Sequence, residues 1–181
     1  MLGIGILKGM VVTAKNFFGS FVNKRLLPTI QYPEAGNSVT LFSRNIPFLV
    51  YDNDEDPLGT MRCVACKICE KECPPQCIYI VMEKDANGKP AKRPKVFDID
   101  ISVCMGCQIC VEVCPFESIK MDSTFELSTP DRFEGLLLKR EHLLKSNTYF
   151  HKIHPDEAQE VDDRLAAKQK KPAPTPSTPA A

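Results

Sequence analysis

One cysteine pattern is written twice in this chain. Cys63, Cys66, Cys69 and Cys73 recur 41 residues later as Cys104, Cys107, Cys110 and Cys114, and the same shift lays Pro74 on Pro115, Ile68 on Ile109 and Ile78 on Ile119. Two copies are too few to stack as a solenoid, so the repeat predicts a pseudo-twofold core in which each half is a cysteine-rich loop, a short helix and a strand. A length of 181 residues suits one such core with extensions.

The cysteine count is nine. A secreted domain built on disulfides normally has an even count and a signal peptide. Here Lys8 interrupts the first apolar run and no small-residue cleavage pattern follows it, which points to a reducing compartment. Net formal charge is zero but unevenly spread: residues 1–51 hold five Lys or Arg against the single acid Glu34, and residues 52–122 hold nine basic against thirteen acidic residues. An acidic middle argues against a nucleic-acid module, which needs a basic footprint for phosphate. The basic front suits anionic lipid headgroups.

Five segments follow. Over residues 1–27, Ile4, Leu7, Val11, Ala14, Phe18 and Phe21 share one stripe at helical spacing, with Gly5, Gly9, Asn16, Ser20 and Asn23 opposite and Lys8 and Lys15 on one edge. Lys8 and Lys15 within the stripe's length, together with four glycines, make this an interfacial or partner-facing helix rather than a membrane span. Residues 28–57, with five prolines or glycines and the run "DNDED", read as an extended connector. Residues 58–122 form the α+β core, with strands at "CIYIVM" (77–82) and "KVFDIDI" (95–101) and turn chemistry between them in "DANGKPAKRP". Residues 123–167 are a helical extension: in "TPDRFEGLLLKREHLLKS", Ser128 or Thr129 would cap, Asp131 and Glu134 suit a first turn, and Lys139, Arg140 and Lys145 suit an end. The Pro/Ala-rich stretch 168–181 reads as disordered.

The spacing Cys-x2-Cys-x2-Cys-x3-Cys-Pro belongs to bacterial-type ferredoxins, where three thiolates of one motif and the fourth of the other surround each 4Fe-4S cube. Three ligands two residues apart wrap a loop around three irons, whereas the fourth lies one helical turn further on and points away. The expected metal ligands are therefore Cys63, Cys66, Cys69 and Cys114 for one cube, and Cys73, Cys104, Cys107 and Cys110 for the other. Paired Cys-x2-Cys units also occur in zinc ribbons, but the third cysteine and the proline-marked fourth, both repeated, favour iron and sulfide. Pro74 and Pro115 should turn the chain out of each loop. Ala65 and Gly106 leave room for a cube and for N–H groups aimed at sulfur, and Ile68 and Ile109 are expected to keep water out. Cys77, whose mate under the shift is Ser118, reads as a buried, inert thiol, and His151 and His154 read as ordinary surface residues.

With "TIQYPE" at 29–34, "RCVACKICEKECP" at 62–74, "FDIDISVCMGCQICVEVCP" at 97–115, and "FELS" followed by "KREHLL", the chain resembles over most of residues 1–150 the ferredoxin-like subunit with two 4Fe-4S clusters in the peripheral arm of complex I, NADH:quinone oxidoreductase. It departs from that pattern at "SRNIPFLVYDNDEDPLG" and in the Pro-rich end. The resemblance implies a duplicated ferredoxin core, no catalytic residue of its own, and electrons received from the large iron–sulfur subunit and passed towards the quinone-site cluster. It also implies neighbours in the peripheral and membrane arms, and a position at the cytoplasmic face of a bacterial inner membrane with residues 1–27 at the junction. A diffusing soluble ferredoxin would need neither extension and would gain from a strongly acidic surface. Equivalent subunits of membrane hydrogenases or of ferredoxin- or deazaflavin-linked oxidoreductases share the pattern, and partners distinguish them.

Overall fold

Apolar runs bounded by turn residues become the strands of two small sheets. The computed structural model describes residues 2–23, 29–36, 39–40, 42–85 and 88–170. In chain order lie α1 (Leu2–Val22), β1 (Pro47–Tyr51), α2 (Ile68–Glu72), β2 (Ile78–Lys84), β3 (Pro90–Asp100), α3 (Ile109–Glu112), β4 (Ile119–Met121), α4 (Arg132–Gly135), β5 (Leu137–Leu138), α5 (Arg140–Leu143), β6 (Leu144–Ser146), α6 (Asn147–Ile153) and α7 (Pro155–Lys170). The chain divides into two units, Met1–Val39 and Thr40–Ala181.

In the first unit α1 exposes its apolar residues, with Ile4 71% and Phe21 75% accessible. Phe17 meets Phe18 and Phe21 edge-on, at centroid distances of 5.3 and 5.2 Å. No helix among the described residues is long and apolar enough to cross a membrane.

In the second unit β2 and β3 form an antiparallel ladder, Ile78 opposite Ile99 and Ile80 opposite Phe97, and β5 extends it with Leu138 opposite Ile99. Alternation decides what is buried: Ile78, Ile80, Phe97 and Ile99 point into the core, while Tyr79 faces outward. The register slips between Val81 and Met82, next to Pro94, which has no N–H to offer the ladder.

The other sheet has the order β4-β1-β6, with β1 antiparallel to β4 and parallel to β6. Residues 47–51, within the stretch expected to be a connector, are thus a central strand. Both faces of β1 are covered: Leu49 enters the core that also holds Cys63, Cys69, Cys73 and Cys77, while Phe48 and Val50 pack with Phe150, Ala158 and Val161. A strand buried on both faces shows no polar alternation, and its short apolar run was masked by the prolines and acids around it.

The single helix expected after the core is also corrected. Its sequence breaks into α4, β5, α5 and β6 because sheet edges claim parts of it: the Leu136 carbonyl accepts from Ile101 N–H at 2.9 Å, and Leu144 lies opposite Leu49. Backbone pairing at an open edge outweighs the helix propensity of Leu, Lys and Glu. The cap is Asp131, which accepts from Phe133 N–H at 2.8 Å, rather than Ser128 or Thr129. The principal helix of this extension is α7, opened by Pro155 with Asp156 and Glu157 in its first turn. It runs to Lys170, taking in the start of the stretch 168–181 expected to be disordered; the rest of that stretch lies outside the described residues.

Of the two histidines expected at the surface, His154 is corrected. His154 is 8% exposed and stacks edge-on against Phe150, and His151 Nε2 lies 2.8 Å from Asp162 Oδ2. Arg62, next to the first cysteine, pairs with Asp52 at 2.6 Å and Asp162 at 3.0 Å and so fastens the first loop to α7. Buried Asp122 accepts from Tyr149 Oη at 2.7 Å and pairs with Lys145, and buried Lys120 pairs with Glu117 at 2.9 Å and Glu157 at 3.0 Å.

Phe150 is fully enclosed between β1 and α7, so Phe150→Ala should cost about 3–5 kcal/mol of stability. Denaturant unfolding of the two proteins checks this; a loss under about 1 kcal/mol would mean that α6 and α7 are not part of the cooperative core.

Candidate metal centre

The cysteine loops are shaped by left-handed residues at matching places. Ala65 (φ 55°), Lys67 (φ 62°) and Gln76 (φ 51°) correspond under the 41-residue shift to Gly106 (φ 61°), Gln108 (φ 69°) and Glu117 (φ 54°). Such residues cost roughly 1–2 kcal/mol each unless glycine, and alternating hand turns successive N–H groups into the concave side of a loop. At Gly106 a Cβ would also come within 3.1 Å of the Arg44 carbonyl.

Lys67 and Gln108 launch α2 and α3, which carry Cys69 and Cys110. Directly after each last cysteine the chain turns: the Cys73 carbonyl accepts from Gln76 N–H at 3.0 Å and the Cys114 carbonyl from Glu117 N–H at 3.4 Å, with Pro74 and Pro115 in the turns. β2 and β4 then start at Ile78 and Ile119.

Because α2 and α3 pack against each other, the last cysteine of each loop reaches the other loop. One cavity is lined by Cys63, Cys66, Cys69 and Cys114, with Leu49, Ile80, Phe97 and Ile119 as its apolar wall and Ser118 beside them. A second is lined by Cys104, Cys107, Cys110 and Cys73, with Ile78, Ile99 and Met121 behind them and Cys77 as a fifth thiol. All eight cysteines singled out by spacing therefore fall into two groups of four, each completed from the distant loop. The apolar screen comes from the strands rather than from Ile68, which is itself 36% exposed.

Neither cavity lining contains a carboxylate or an imidazole. Among the described residues, no three His, Cys, Asp or Glu side chains converge closely enough for a single ion. Four soft sulfur donors spread around an apolar space match the ligand chemistry of an iron–sulfur cluster, in which each iron takes one thiolate.

Burial is the largest influence on four of the thiols. It pushes Cys69 up to about 12, helped by the charges of Cys63, Cys114, Cys110 and Cys66. It pushes Cys110 up to about 12 as well, helped by Cys104, Cys107 and Cys73. Cys63 is also raised by burial, and hydrogen bonding from Ala65 N–H draws it back. Cys77 rises through burial and its neighbour Cys73, whose Sγ is 3.5 Å away. With no cation these thiols stay protonated, so metal binding has to expel their protons.

Three contacts were not legible in the motifs. Arg44 donates to the Cys107 carbonyl at 3.4 Å, Lys168 donates to the Pro115 carbonyl at 3.0 Å, and Ser118 N–H donates to Cys114 Sγ at 3.4 Å. Only the last had a sequence signal, the alignment of Ser118 with Cys77.

Residues 62–118 match the family model of the 4Fe-4S dicluster domain. NADH-quinone oxidoreductase subunit I of Francisella philomiragia is 33% identical over 160 residues, covering 88% of this chain and 91% of that protein. The chain belongs to the NADH-quinone oxidoreductase subunit I family. Another member, subunit I 2 of Streptomyces coelicolor, is 31% identical over 137 residues, 71% of this chain; the match spans 62% of that relative's own length. A solved chain of the membrane-bound sulfane sulfur reductase, an archaeal respiratory membrane complex, aligns over 71% of this chain and 61% of its own with 22% identity and a TM-score of 0.43. As a subunit I relative with a dicluster domain, the protein has a mixed helix and strand fold in which an iron–sulfur binding region is built into the hydrophobic core.

Cys69 and Cys110 should be poor nucleophiles in metal-free chain that keeps its circular dichroism. At pH 7 iodoacetamide should label exposed Cys66 at least about tenfold faster than either, as read by peptide mass spectrometry. Equal rates would mean that the cavities are open to water.

Proposed function

We propose that this protein is an electron relay of a complex I-like NADH:quinone oxidoreductase, holding two 4Fe-4S cubes in a duplicated ferredoxin core. Cys63, Cys66, Cys69 and Cys114 ligate one cube, and Cys73, Cys104, Cys107 and Cys110 the other. When bound, each cube supplies one-electron transfer. The polypeptide holds eight thiolates in two dry cavities, keeps those cavities adjacent through α2 and α3, and aims backbone and side-chain donors at sulfur.

The observation that carries this reading is the company each last cysteine keeps: Cys114 lines a cavity with Cys63, Cys66 and Cys69, and Cys73 lines one with Cys104, Cys107 and Cys110. Duplication is supported by the left-handed pairs at Ala65 and Gly106, Lys67 and Gln108, and Gln76 and Glu117. Similarity to subunit I proteins supports the host complex and its partners: the large iron–sulfur subunit as donor, the quinone-site subunits as acceptor, and a membrane-arm subunit as neighbour.

The segment 1–27 is the attachment region, peripheral at the cytoplasmic face of the inner membrane. Its support is α1, whose apolar residues are exposed and which is too short of apolar character to span. The segment 58–122 is the cluster domain. Residues 123–167 brace it.

Cys114→Ser should remove or convert the cube held by Cys63, Cys66 and Cys69 and leave the other largely intact. Electron paramagnetic resonance of the reduced protein reads this, and loss of only the cube at Cys104, Cys107 and Cys110 would overturn the ligand assignment. Deleting residues 2–22 should leave iron and acid-labile sulfide content unchanged while the subunit washes off isolated membranes in low-salt buffer. Retention equal to that of the full chain would refute the attachment role.

A further inference from the structure

The two cavities are alike in their four thiols, and among the positions where they differ is the residue just before β4 in one and β2 in the other. Ser118 lines the first and Cys77 the second, and the repeat makes them equivalents.

Ser118 is 2% exposed, and its Oγ has no hydrogen-bond partner of normal length. A buried hydroxyl without a partner is costly, and native structures keep one where something else is meant to receive it. Its backbone is pinned on both sides: N–H donates to Cys114 Sγ at 3.4 Å, and C=O accepts from Val50 N–H at 2.8 Å. The serine therefore stands against Cys114 in the cavity lined by all four thiols of one set, with its hydroxyl proton unassigned.

Cys77 holds the corresponding place beside the other set. It is 8% exposed, its carbonyl accepts from Asp100 N–H at 2.9 Å, and its Sγ is 3.5 Å from Cys73 Sγ.

We infer that Ser118 donates its hydroxyl proton to a sulfur of the iron–sulfur group held by Cys63, Cys66, Cys69 and Cys114, raising that group's reduction potential, and that Cys77 is its weaker counterpart at the other group. Sulfur gains negative charge on reduction, so a donor aimed at it stabilises the reduced form more than the oxidised one. A hydroxyl is a full donor and a thiol a weak one. The two halves of the repeat are thus tuned apart by one atom, oxygen in one and sulfur in the other. Ser118 is a tuning residue, in contact with the Cys114 sulfur through its N–H but not itself a ligand.

This inference rests on the two-cluster relay reading, and the experiment separates the two. Anaerobic redox titration of the full-length protein, followed by electron paramagnetic resonance, gives a midpoint for each signal, and iron and sulfide analysis gives loading. In Ser118→Ala the midpoint of the cluster ligated by Cys63 should shift downward while the other stays in place. Ser118→Thr, which keeps the hydroxyl, should restore the parent value. In Cys77→Ser the second midpoint should shift upward. Fully loaded Ser118→Ala with an unmoved midpoint, or with both midpoints moved equally, overturns the inference and leaves the relay reading standing. Should Ser118→Ala fail to load, Cys77→Ser decides, and an unmoved second midpoint overturns it. Wild-type protein without iron and sulfide would sink the relay reading itself, and this inference with it.

Discussion

Each cysteine loop supplies a thiol to the cavity of the other, and that exchange constrains everything around it. For Cys73 and Cys114 to cross over, α2 and α3 must lie against each other, so the loops before them must bend through left-handed residues and the chain after them must turn at once. The strands β2 and β4 begin where those turns end, so the sheets are positioned by the same exchange. Thiols and apolar side chains are one core here rather than a site set into a core: Cys63, Cys69, Cys73 and Cys77 pack with Leu49, Ile80, Phe97 and Ile99. Such a core is held by apolar burial, worth about 25 cal/mol per Å², and by whatever the sulfurs bind.

The parts that were legible in the sequence are those specified locally. Eight cysteines at repeated spacing foretold their grouping because helical periodicity dictates which thiol faces its own loop and which faces away. The strands at 77–82 and 95–101 showed because one face is buried and the other is not, as Ile80 and Tyr79 illustrate. What was not legible depends on distant chain. β1 lacks alternation because α6 and α7 cover its second face, and the segment from Leu136 to Ser146 gives up helix to complete the edges of β3 and β1. Likewise His154 and Lys120 look like surface residues until Phe150 and Glu157 are brought to them.

Charge is handled differently on the two sides of β1. On the cysteine side the walls carry no carboxylate, so nothing there competes with thiolate for a cation. On the other side the buried polar groups are paired, Lys120 with Glu117 and Glu157, and Asp122 with Lys145 and Tyr149. The Lys120 ammonium also lies 5.2 Å from the centre of the Phe150 ring, an attraction that a dry surrounding strengthens. Glu117 and Lys120 lie on either side of Ser118 in the segment that leads from Cys114 into β4, so the ion-pair cluster and the serine share one short piece of backbone.

The parallel partnership of β1 with β6 has a consequence for biosynthesis. Leu49 lies opposite Leu144, and α7 follows β6 in the chain. Both cysteine loops leave the ribosome before β6 and α7 do, the elements that seal β1 from behind. The nascent chain therefore presents all eight thiols while one wall of its interior is still unbuilt, and an inorganic guest can be delivered without prising apart a finished protein.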